Sequence, residues 1–94
     1  MQIPRHTQCA KAIYYFEKSL EILTDIEYNL AIPYILTNIG ALYLYEGDID
    51  KAQDYSERAL LLSTEMGSTE NISQAAEVLS KILEQQGSYD KALE

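Results

Sequence analysis

The stretch LTNIGALYLYEGDIDKAQDYSERAL, residues 36–60, decides the fold. Its first half places Leu36, Ile39 and Tyr43 at the 3, 4, 7 spacing of one helical face, and its second half resumes with Ala52, Tyr55 and Ala59 after Gly47. A left-handed terminal residue suits glycine because it has no Cβ to clash, so Gly47 reads as a helix stop. Asp48 follows at once, and its carboxylate can accept from the unpaired amides that open the next helix. Two helices joined by a tight turn are expected.

The same elements return forty residues on. TQCAKAIYYFEKSLEI from Thr7, GDIDKAQDYSERALLL from Gly47 and GSYDKALE from Gly87 fall into register, aligning Lys11, Lys51 and Lys91, and likewise Ala12, Ala52 and Ala92. Tyr15 with Tyr55, Glu17 with Glu57 and Leu20 with Leu60 continue the series, and Cys9, Ile49 and Tyr89 share a position that can fill a seam. A second kind of segment alternates with this one: Ile32, Ile35, Leu36, Ile39, Leu42 and Tyr43 match Ile72, Ala75, Ala76, Leu79, Ile82 and Leu83. Gly67 and Gly87 repeat the stop at Gly47, with Ser68 or Thr69 and then Ser88 as the next N-caps. Asn29 is placed to cap the helix that carries Pro33 near its first turn, where proline forfeits little hydrogen bonding. The expected layout is a helix over 7–26, others over 30–46, 49–66 and 70–86, a stub after Ser88, and no strand.

Paired helices recurring at a fixed interval describe an all-α solenoid, in which each unit buries its apolar face against its neighbours. Leu36-x-x-Ile39-Gly40-x-x-Tyr43 followed by Gly47, Ala52, Tyr55, Ala59 and Leu60 resembles a tetratricopeptide repeat. Gly40, Ala52 and Ala59 would stand where paired helices come closest, and Leu36 and Tyr43 in the wider gaps. The chain departs from the family pattern at Leu36, where tryptophan is usual, at Ser56, where an aromatic is usual, and at Thr64, where proline is usual. The forty-residue period exceeds the family's usual repeat of about 34, and GSTENI around Ser68 is the natural place for the surplus. Armadillo and HEAT repeats share the longer period but lack this small-residue pattern. The resemblance implies one domain over 1–94: residues 7–26 the second helix of a repeat, 30–66 a complete repeat, and 70–94 an incomplete one.

The half-repeats at both ends leave apolar surface to account for. Ile13, Phe16, Leu20 and Leu23 form one face of the first helix, but Tyr14, Tyr15 and Ile22 lie elsewhere on it. Either the chain is a portion of a longer array, or its ends pair with another copy as a homo-oligomer, with the first helix of one molecule covering the fourth of the next.

Composition narrows the partners. Fifteen Asp and Glu against seven Lys and Arg give a net charge of −8, which repels phosphate backbones and anionic lipid heads, so nucleic acid is not an expected partner. No stretch is long and apolar enough for membrane insertion. A lone Cys9 cannot form an internal disulfide and MQIPRHTQ lacks the apolar segment of a leader, so a cytoplasmic setting is expected. His6 and Cys9 fall short of the three or four ligands a metal needs, and no phosphate loop, nucleophile elbow or zinc-protease motif is present, so neither cofactor nor enzyme activity is expected. Acid pairs such as Asp48 with Asp50 and Glu17 with Glu21 read as helix-start and exposed-face residues.

The resemblance implies a non-enzymatic interaction scaffold whose first helices line a groove that takes a peptide or protein segment. On the second helix that stripe is Tyr34, Thr37, Asn38, Ala41 and Tyr45, and on the fourth it is Gln74, Glu77, Val78, Lys81 and Gln85. Helical spacing makes both stripes solvent-facing. Tyr34 and Tyr45 carry most of the functional expectation, since tyrosine brings apolar area and a hydrogen bond together. Some family members grip a terminal carboxylate with Lys and Asn, but only Asn38 matches, and Thr37, Gln74 and Val78 stand where cations or amides would be needed. The other role the resemblance implies is the sensory or regulatory arm of a longer signalling or transcription-regulating protein.

Overall fold

A computed structural model describes residues 5–23 and 31–93, with side chains described over 7–23 and 31–87. Four helices follow in order: α1 (Arg5–Leu23), α2 (Ala31–Glu46), α3 (Ile49–Met66) and α4 (Thr69–Leu93). There is no strand among the described residues. The chain is thus the all-α helical repeat that its spacing predicts.

The turns at Gly47 and Gly67 are copies of one device. At φ +86° and +70°, both glycines adopt the left-handed conformation. Gly47 N–H donates to the Leu44 carbonyl and Asp48 N–H to that of Tyr43, while Gly67 and Ser68 do the same to Thr64 and Ser63. This pairing satisfies carbonyls that the helix end would otherwise leave bare. The Asp48 carboxylate accepts from Lys51 N–H at 3.2 Å, as an N-cap should. Ser68 occupies the corresponding place before α4, whose Ile72 N–H reaches the Ser68 carbonyl. Asn29 and Ile26 lie outside the described residues, as does the side chain of Ser88.

Gly87 behaves differently from expectation. It lies inside α4, which runs unbroken from Thr69 to Leu93, so the stop at Gly87 and the separate stub are not formed. Its φ is not positive, and a Cβ there would meet nothing within 4 Å. Extending an existing helix adds a hydrogen bond per residue, whereas a new helix must be nucleated, and the few residues past Ser88 are too short to hold one alone.

Packing centres on α2. Ile35 and Ile39 meet Ile13, Phe16, Leu20 and Leu23 of α1, while Leu36 meets Ala59 of α3 and Ala75 of α4. Leu44 joins Ala52, Val78 and Ile82 in a third cluster. Gly40 marks a close approach of α2 to α3. A Cβ on it would stand 2.5 Å from Ser56 Oγ, 3.2 Å from the Ala52 carbonyl oxygen and 3.3 Å from Ser56 N. Ala52, Ser56 and Ala59 are fully buried along the facing side of α3. Ser56, where the family usually has an aromatic, packs its hydroxyl toward Gly40, so a side chain on residue 40 would collide with it. Other hydroxyls on these helices answer a carbonyl four residues back, Thr37 to Pro33 at 2.9 Å and Ser63 to Ala59 at 2.7 Å. Ser56 Oγ is buried with no hydrogen-bond partner.

The tyrosines divide. Tyr43 and Tyr55 fill a seam with rings stacked at 5.6 Å, as their positions suggested. Tyr15, aligned with Tyr55 in the repeat register but off the Ile13–Phe16–Leu20–Leu23 face, is 67% exposed, because α1 has no helix on that side among the described residues. Tyr89 lies beyond the described side chains. Cys9 is buried, as a seam residue would be.

Candidate peptide-binding face

α2 buries Pro33, Ile35, Leu36, Thr37, Ile39, Gly40 and Leu44, which leaves one outward strip. Tyr34, Asn38, Ala41 and Tyr45 fall on it at spacings of four, three and four residues, a nearly axial row on a helix of 3.6 residues per turn. Tyr34 is 49% exposed and Tyr45 53%, while Asn38 and Ala41 between them are half-buried.

Thr37 does not belong to this row. It is 6% exposed, faces the packed flank of α2, and spends its hydroxyl on the Pro33 carbonyl. A residue one position from Asn38 is turned about 100° around the helix, enough to carry it from surface to seam.

On α4, Glu77, Lys81 and Gln85 are exposed and Gln74 is half-buried. Val78 is buried, again contrary to a solvent-facing stripe, because it packs with Ile82 against Leu44 and Ala41. That cluster brings the two helices together: Ala41 of the α2 row packs against the buried group to which Val78 and Ile82 of α4 belong. Lys81 Nζ lies 3.5 Å from Glu77 Oε1, an exposed i, i+4 pair that neutralises the one cation of the row at little gain in stability.

Sequence reasoning missed the Tyr55–Glu17 link on the other side of α2. Tyr55 Oη donates to Glu17 Oε1 at 3.1 Å, tying α3 to α1. Burial, then the bond to Glu17 and that carboxylate's charge, raise the Tyr55 pKa above its ordinary 10.0, against a smaller lowering by Arg58. Arg58 lies over the Tyr55 ring at 5.1 Å and Lys51 over the Tyr43 ring at 5.2 Å. The only signal in the sequence was the recurrence of tyrosine and glutamate at fixed repeat positions, which cannot name a pair 38 residues apart.

A family model for tetratricopeptide repeats matches residues 31–94, covering α2, α3 and α4. The chain belongs to the tetratricopeptide repeat family. Tetratricopeptide repeats mediate protein–protein interaction, so a protein partner is the family's implication here. No curated protein and no solved structure matched the chain. No helix among the described residues is long and apolar enough to cross a membrane.

Proposed function

We propose that the chain is a non-enzymatic scaffold that holds a peptide or protein segment along the face shared by α2 and α4. α1 is then the second helix of a preceding repeat, α2 with α3 a complete repeat, and α4 the start of an incomplete one. The observation that carries the reading is the pair of exposed rings, Tyr34 and Tyr45. Eleven residues apart, they stand three turns and about 16 Å from one another on one side of the helix. Asn38 lies between them, and Gln74, Lys81 and Gln85 stand on α4 within two turns of Val78, which shares a core cluster with α2. A segment laid along this face meets ring faces at both ends and amide donors and acceptors between, which is recognition by shape and hydrogen bonding without chemistry. Thr37 and Val78 support the face from below and do not touch the ligand. A few aromatic contacts on a preformed surface would supply most of the affinity. A cytoplasmic setting suits a buried lone Cys9, which needs no oxidising compartment.

The test is capture of binding partners by the parent chain against a Tyr34→Ala, Asn38→Ala double variant of equal helicity. Loss of the partners bound by the parent is expected. Equal capture by the two chains would remove the contact from this face.

The uncovered side chains at the ends bear on assembly. Tyr14, Tyr15 and Ile22 of α1 and Leu83 of α4 are more than half exposed. A second copy that docks α1 against α4 would cover them, and a sedimentation run showing only monomer at high concentration would refute that arrangement.

A further inference from the structure

One helix contact of the repeat occurs twice in the chain. Ile35 and Ile39 of α2 pack with Ile13, Phe16 and Leu20 of α1. Forty residues on, Ala75 and Leu79 of α4 join the clusters that hold Ala59 and Ala52 of α3. α1 thus meets α2 in the register in which α3 meets α4. The other contact, α2 with α3, has no second example among the described residues, although both of its halves recur.

That contact sets Leu36 against Ala59, Gly40 against Ser56 and Tyr43 against Tyr55. Forty residues after the α2 members stand Ala76, Ser80 and Leu83 of α4, and all three are exposed. Forty residues before the α3 members stand Ser19, Phe16 and Tyr15 of α1, with Ile22 as the counterpart of Leu62. Tyr15 and Ile22 are 67% and 68% exposed, Ser19 is exposed and Phe16 is half-buried. At about 100° per residue, Ala12, Tyr15, Ser19 and Ile22 share one strip, turned away from the face that α1 packs on α2. α1 therefore presents the strip that α3 uses on α2, and α4 presents the strip that α2 uses on α3. Within one chain, α1 and α4 do not meet among the described residues.

We propose that the α4 strip is covered by α1 of a second copy in the α2–α3 register, with the second copy's Ser19 on Ala76, its Phe16 on Ser80 and its Tyr15 on Leu83. This register rests on the docking of α1 against α4 but not on the Tyr34–Tyr45 face, and either can fail without the other. Because the two strips differ, the contact is heterologous: each added copy leaves one strip of each kind open, so assembly proceeds head to tail and does not stop at a two-fold dimer. Ser80 and Phe16 are bulkier than Gly40 and Ser56, which hold the same places between α2 and α3, so the second copy stands further off than α3 does and is held less tightly. An array carries one α2–α4 face per copy, which multiplies weak peptide contacts.

Sedimentation of the whole chain from about 10 μM to about 1 mM reads the assembly. Its mean mass should rise with concentration and pass that of two copies. Leu83→Glu and Ile22→Glu, each at an exposed side chain and so compatible with the fold, close one strip apiece, and either variant alone should stay monomeric. Mixed, the first supplies α1 and the second α4, and they should form a one-to-one pair and nothing larger. Disulfide formation in a glutathione buffer reads the register, since a disulfide needs Cα atoms within about 7 Å: Ser19→Cys with Ala76→Cys should give at least about tenfold more mixed dimer than Ser19→Cys with Gln85→Cys, while the native Cys9 stays buried. A parent chain that is monomeric throughout, a single variant that still assembles, or a mixture that forms no pair would overturn the head-to-tail contact. A one-to-one pair that cross-links as well through residue 85 as through residue 76 would leave α1 on α4 and overturn the register.

Discussion

Gly40→Ala, taken alone and with Ser56→Ala, probes the close approach of α2 to α3. In a helix interior alanine is favoured over glycine by about 1 kcal/mol. Against that, the new Cβ would lie 2.5 Å from Ser56 Oγ, with the Ala52 carbonyl oxygen at 3.2 Å and Ser56 N at 3.3 Å. Overpacking of this kind costs about 1–3 kcal/mol, so Gly40→Ala should destabilise by about 1 kcal/mol net. Ser56→Ala alone removes a buried hydroxyl that has no partner. An unsatisfied group costs about 1–3 kcal/mol, and after a small loss of packing the variant should gain about 1 kcal/mol. With Ser56→Ala in place the shortest contact is gone and the backbone contacts ask for a shift of a few tenths of an ångström. Gly40→Ala should then be close to neutral, a coupling of about 1–2 kcal/mol. Urea denaturation of the four chains followed by far-ultraviolet circular dichroism measures the cycle, and 1 kcal/mol moves the thermal midpoint by about 4–8 °C in a domain of this size. Additivity within about 0.5 kcal/mol would refute the contact.

Further outcomes follow from the same packing. Ala52→Leu or Ala59→Leu, each at a fully buried position, should lose about 1–3 kcal/mol by forcing α3 away from its neighbours, and a melt that matched the parent would refute that fit. Gly67→Ala should cost about 1 kcal/mol through its φ of +70° alone, since a Cβ meets nothing there, whereas Gly87→Ala should stabilise by about 0.5–1 kcal/mol because α4 is continuous through it. Destabilisation by Gly87→Ala would show a left-handed stop at that residue. The raised pKa of Tyr55 means that the folded chain holds its phenolic proton where the unfolded chain has lost it. That contribution is fully present below about pH 10 and is lost as pH rises through the folded value, so Tyr55→Phe should have the flatter stability profile above pH 10 when the two are melted side by side.

Much of this was legible because local chemistry and long-range packing agree. The Gly47–Asp48 and Gly67–Ser68 turns carry their own signals, and α3 runs from Ile49 to Met66 as its pattern and its caps require. Gly40, Ala52 and Ala59 were legible as small residues at helical spacing, and the structure buries all three. Gly87 was not, since the same local signal yields a stop only when the following residues have a surface to pack on. Thr37 and Val78 show a second limit: at 100° per residue, the border between an exposed row and a packed flank is one position wide, and the place of α4 against α2 decides which side is covered. The Tyr55–Glu17 bridge depends on how α1 and α3 are placed about α2, which no spacing within one helix encodes.

Nuclear Overhauser contacts between the Gly40 α-protons and the side chains of Ala52 and Ser56 test the stacked pairing of α2 and α3 most directly. The account predicts strong cross-peaks to both residues. Their absence, with Gly40 amide exchange as fast as at the exposed Tyr45, would contradict the close approach on which the repeat architecture and the α2–α4 face both stand.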